Sequence, residues 1–97
     1  MQNDLFRELP IRSKTEMAND IAQIIHCLHR GQYTGPLIEN LKARSTFLDE
    51  RVQQDVLIFV EQVQFQQAYD PWHKVTPEIT LAADRLIEDL GFYLKRN

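Results

Sequence analysis

From Met17 onward the apolar residues fall at helical intervals, and this spacing limits what the chain can fold into more than any other feature. Met17, Ile21, Ile24, Ile25 and Leu28 recur at i, i+4, i+7, i+8 and i+11, one face of a helix with about 3.6 residues per turn. Leu37, Ile38 and Leu41 form a second stripe. Leu48, Val52, Val56, Phe59, Val60 and Val63 form a third, while Gln53, Gln54, Glu61, Gln62 and Gln66 between them are expected to face elsewhere. Ile79, Ala83, Leu86, Leu90 and Tyr93 or Leu94 make a fourth. Each stripe needs a partner to cover it, and four of them joined by short corners predict an all-α domain, a small antiparallel four-helix bundle.

The punctuation between the stripes agrees with that division. Ser13-Lys14-Thr15-Glu16 matches a capping box, which predicts a helix starting at Lys14. His29 and Arg30 suit its negative end, and Gly31 supplies the left-handed residue that stops it. "GQYTGP" reads as a turn, with Gly35-Pro36 opening the second helix. Ser45 and Thr46, followed by Asp49 and Glu50, look like hydroxyl caps ahead of a third helix, although Leu41, Leu48 and Val52 would also keep phase in one continuous helix. The valines of the third stripe would tolerate a strand, but the run from Thr46 to Tyr69 has neither glycine nor proline and is too long for one. Asp70-Pro71 ends it. Thr76-Pro77-Glu78 starts the fourth helix, and Gly91 either weakens its last turn or closes its regular part.

At 97 residues the chain makes one domain, with residues 13–97 as the bundle and residues 1–12 as an N-terminal arm or short helix. Leu5, Phe6, Leu9 and Ile11 are too apolar for a free tail, so the arm packs across the bundle or exchanges with a second copy to form a homodimer. A lone cysteine, Cys27, rules out an internal disulfide and suits a reducing compartment. The opening "MQNDLFRELPIR" lacks a secretory pattern. The longest apolar run, "VLIFV" from Val56 to Val60, is far short of a membrane span of about 20 residues. A cytoplasmic protein with no membrane partner is expected.

Charge is uneven. Residues 1–48 carry six Lys/Arg against five Asp/Glu, net +1, whereas residues 49–97 carry five against nine, net −4. An acidic second half repels phosphate backbones and attracts basic proteins.

The residues that could carry chemistry are few. His26 and His29 are three apart on a helix and could share a metal ion, but Cys27 points about 100° away from His26 and His73 lies on a distant corner. Cys27 lacks a base at helical reach to make it a nucleophile. Ser13 and Ser45 are better explained as caps. Asp84, Glu88 and Asp89 cluster on the fourth helix, where a charge run is ordinarily a solvated face. Gly31 and Gly35 precede Pro36 where a phosphate loop would place lysine and a hydroxyl. No catalytic residue, cofactor or metal is therefore expected. A helix-turn-helix is conceivable, with Pro36 to Arg44 as recognition helix and Asn40, Lys42 and Arg44 as base readers, but cationic phosphate contacts are scarce.

"AYDPWHKVTPE", Ala68 to Glu78, places a tyrosine, the single tryptophan and a histidine on one corner. Trp72 there either lids the open end of the bundle or, with Tyr69 and His73, stands at the rim of a binding face. In the second case Asp70, Asp84, Glu88 and Asp89 add attraction toward a basic partner. The expected function is accordingly a small acidic protein-binding module: an inhibitor, neutraliser or adaptor that docks on a basic protein. The alternative is a dimeric transcription regulator inserting its second helix into DNA. The four-helix arrangement resembles that of the small helical immunity proteins of bacteria. "GPLIENL", Gly35 to Leu41, is similar to the start of the second helix in the pediocin-type bacteriocin immunity family. That likeness implies a neutraliser of a toxin and transfers no residue role.

Overall fold

The computed structural model describes the backbone of residues 2–69 and 75–92, and the side chains of residues 13–69 and 75–92. Its four helices are α1 (Gln2–His29), α2 (Gly35–Ser45), α3 (Glu50–Tyr69) and α4 (Pro77–Asp89), with no strand among the described residues. The all-α, four-helix fold follows as expected. The core is made of the predicted stripes: Met17, Ile21, Ile24 and Leu28 from α1; Ile38 and Leu41 from α2; Val52, Val56, Phe59, Val60 and Val63 from α3; Ile79, Ala83, Leu86 and Leu90 from α4. Two contacts set α2 against α3 and α3 against α4 end to start. Thr34 ahead of α2 meets Gln67 near the end of α3, and Arg51 in the first turn of α3 meets Asp89 in the last turn of α4.

The start of α1 corrects the sequence expectation. The helix runs unbroken from Gln2 through Pro10, so Ser13 lies inside it and Lys14 begins nothing. A capping box acts only where the first amide N–H groups lack carbonyl partners. The turns upstream of Ser13 supply those carbonyls. Residues 2–12, expected with Met1 as a separate arm or short helix, thus form the first turns of α1 itself, and the packing of Leu5, Phe6, Leu9 and Ile11 lies outside the described residues.

Three corners shape the rest. Gly31, at φ 66°, ends α1 in a paired arrangement. The Gln32 N–H donates to the Cys27 carbonyl at 2.8 Å and the Gly31 N–H to that of Leu28 at 3.2 Å, which occupies two carbonyls the helix end would leave open. The same pattern closes α4: at Gly91, φ 94°, the Phe92 N–H donates to the Ile87 carbonyl at 3.2 Å and the Gly91 N–H to that of Glu88 at 2.9 Å. Gly91 therefore ends the helix rather than loosening its final turn, and Tyr93 and Leu94 lie outside the described residues.

Between α2 and α3 the chain does break, but not through the expected caps. Ser45 Oγ and Thr46 Oγ1 donate backward to the Lys42 and Ala43 carbonyls, each at 2.7 Å, so the hydroxyls close α2. Asp49 opens α3 instead, its Oδ1 accepting from the Val52 N–H at 3.0 Å. An acid in that position also meets the positive end of the helix dipole. At α4 the expectation holds: Thr76, with extended backbone, accepts from the Ile79 N–H through Oγ1 at 3.2 Å, and Pro77 follows it. Thr76→Ala is expected to cost about 1 kcal/mol, read as a lower urea midpoint with an unchanged slope.

Polar contacts among the described residues also tie helices together. Thr34, fully buried, donates to Gln67 Oε1 at 2.7 Å, and Gln67 Nε2 donates to the Gln32 carbonyl at 2.9 Å, tying the first corner to the end of α3. Arg44 of α2 holds two acids of α1, Glu16 through Nε at 2.9 Å and Asp20 through Nη1.

Candidate functional site: the face of α3 and α4

α3 carries more apolar residues than its buried side can take. In "VLIFV" the helix turns Val56, Phe59 and Val60 inward and leaves Leu57 and Ile58 outward, 58% and 47% exposed. Ile58, Gln62, Phe65 and Tyr69 stand at i, i+4, i+7 and i+11, one strip along the outer flank of α3. Phe65 and Tyr69 are 60% and 76% exposed, and their rings touch with centroids 4.6 Å apart. Across from Ile58, α4 presents Leu81, 66% exposed. Between the two helices runs a groove of about 240 Å³, lined by Asp55, Ile58, Gln62, Glu78, Leu81, Ala82 and Arg85.

At the inner edge of this groove two carboxyls meet. Asp55, on α3 and buried, faces Asp89, on α4. Burial, the hydrogen bond with Asp89 and the negative charge of that neighbour push Asp55 from the ordinary 3.8 up to about 6, against the opposing pull of Arg85 and Arg51. Arg51 Nε lies 3.3 Å from Asp89 Oδ2, an ion-pair contact. With both carboxyls ionised, neither Asp55 Oδ2 nor Asp89 Oδ2 has a hydrogen-bond partner among the described residues. Below about pH 6 a proton on Asp55 can supply the missing bond. Acid–base chemistry would need those oxygens within reach of a substrate, and both are buried.

The expected site residues separate into groups. Tyr69 is exposed at the end of α3; Asp84 and Glu88 lie half-buried and exposed on the outer side of α4; Asp89 turns inward to Asp55 and Arg51. Asp70, Trp72 and His73 lie outside the described residues. Asp55, Ile58, Phe65 and Leu81 were not anticipated as parts of a site. Their signals were present: five apolar residues in succession cannot all face inward on a helix, and Asp55 stands four before Phe59, on the core side. Gln66, expected to face away, is buried, and so is Asp20.

The other candidates are placed as follows. His26 and His29 are exposed and Cys27 half-buried, with Arg30 Nη1 3.4 Å from His26 Nε2. No group of three or more metal-ligating side chains forms among the described residues. Of the three proposed base readers on α2, Asn40 is exposed, Lys42 stands 3.8 Å from Glu39, and Arg44 is held by Glu16 and Asp20. Among the described residues no helix is long and apolar enough to cross a membrane. In comparison with known proteins, the chain matches no protein-family model, no curated protein and no solved structure.

Proposed function

We propose that this chain is a small protein-binding module, not an enzyme, that docks on a basic partner protein through the outer face of α3 and α4 and acts as an inhibitor, neutraliser or adaptor. One observation carries the reading: Ile58, Phe65, Tyr69 and Leu81 remain exposed, outside the core that the described residues form. Large apolar side chains gathered on one face favour contact with another macromolecule. Between Asp49 and Asp89 the chain has nine acidic residues and three basic ones, which favours a basic partner and disfavours nucleic acid. The engagement of Arg44 by two acids further reduces support for a DNA-reading α2. The lone Cys27 is compatible with a reducing, cytoplasmic setting.

The test has two stages. Affinity capture from the native host with mass spectrometry identifies the partner, and stopped-flow association then measures its on-rate. Changing Asp84→Lys together with Glu88→Lys is expected to slow association at least about tenfold at low salt, and raising the ionic strength is expected to slow the wild type. On-rates indifferent to both changes would remove the electrostatic part of the proposal. Retention of random duplex DNA at low salt in a gel-shift would favour the regulator instead.

A further inference from the structure

Resting on the protein-binding reading, we infer that the groove between α3 and α4 receives an amphipathic helix of the partner, with apolar residues along its middle and lysines or arginines along both edges. Ile58 and Gln62 line the groove on the α3 side, and the exposed Phe65 and Tyr69 continue the same strip along α3 beyond the lining. From Ile58 to Tyr69 the strip spans about 16 Å along the helix axis, interrupted only by Gln62. Leu81 and Ala82 form the opposite wall. Two helices lying side by side leave a channel into which a third can pack at about 8–10 Å, and amphipathic helices bind in such grooves through residues at i, i+3 or i+4, and i+7.

Charge selects the occupant. On α3, Glu61 lies about 60° around the helix from Ile58, on the side away from Asp55 and Gln62, which face the groove. On α4, Asp84 and Glu88 follow Leu81 at i+3 and i+7 and so share its outer face. The apolar track is thus flanked on both sides by acids, and Glu78 stands in its lining. Arg85 is the one cation there. A second copy of this chain would bring like charges face to face. A helix with basic edges meets opposite charge on both.

Fluorescence anisotropy with labelled peptides of about 18 residues tests this on the intact protein. One peptide carries leucine and lysine at helical spacing, the second replaces lysine with glutamate, and the third shuffles the first so that its helical period is lost. The leucine–lysine helix is expected to bind at least about tenfold tighter than either control. Ile58→Ser and Leu81→Ser, both at exposed positions and checked for folding by circular dichroism, should each weaken it about fivefold or more. Phe47→Ser, at the corner between α2 and α3, should change it less than about twofold. Equal binding of the shuffled peptide, indifference to both groove variants, or self-association of the protein that Leu81→Ser abolishes would each overturn the inference. A captured partner that Asp84→Lys with Glu88→Lys releases, but that ignores Leu81→Ser and Ile58→Ser, would sink the helix while leaving the broader reading intact. Absence of any protein held by the acidic face would sink that reading as well.

Discussion

Replacing Arg44 with methionine is expected to lower the unfolding free energy by about 3 kcal/mol. Asp20 is 7% exposed and is held by Arg44, which also bonds Glu16 at 2.9 Å. Methionine keeps most of the aliphatic packing of the arginine stem but leaves the Asp20 carboxylate buried against α2 without its counter-charge. A buried charge that loses its partner costs several times what the intact pair contributes relative to an apolar substitute. The double variant Asp20→Leu with Arg44→Met is therefore expected to recover more than half of the loss. Urea unfolding of the two single variants, the double and the wild type makes the measurement a double-mutant cycle. Simple additivity of the two single losses would show that the two side chains do not depend on one another, and the clip between α1 and α2 would then have to be reassigned to apolar packing.

Asp55→Asn is expected to have the opposite sign, stabilising the protein by about 2 kcal/mol at pH 8. The carboxyl of Asp55 is raised from 3.8 to about 6 in the folded chain, so between those values the folded state binds more protons than the unfolded one. Stability from this group is then fully present below about pH 4 and declines as the pH rises through about 6, where α3 and α4 must hold two negative carboxylates together. Asparagine keeps the shape and can donate to Asp89 at every pH. Unfolding free energies at pH 5 and pH 8 should thus differ less for the variant than for the wild type. A variant less stable than the wild type at pH 8 would contradict the unfavourable contact between the carboxylates. Arg51 and Arg85, the cations acting on Asp55, moderate the repulsion, and Arg51→Gln should steepen the decline.

These two positions show unequal legibility. Arg44 was visible in the sequence as a cation on the second helix and was read as a candidate for DNA; its partners lie on α1, a turn and most of a helix away along the chain. Asp55 carried a local sign of burial, four residues ahead of Phe59, but nothing near it in sequence named Asp89. The apolar surplus on α3 was likewise readable as "VLIFV", whereas the pairing of Ile58 with Leu81 required α3 and α4 to be placed side by side. Local rules also misfired where context removed their premise: Ser13 and Glu16 satisfy a capping box in composition, yet α1 already runs through them, and the Ser45 and Thr46 hydroxyls close α2 rather than open α3.

Local spacing and punctuation in the chain set the apolar stripes of the helices, the stop at Gly31 and the start at Thr76-Pro77. Periodicity, caps and left-handed glycines act within a few residues, so the chain records them where they occur. The tertiary structure decided which polar groups go inside, which acids confront each other, and which apolar side chains remain uncovered. Those outcomes depend on the rotation and register of one helix against another, which are set by the packing of the whole core rather than by any single segment.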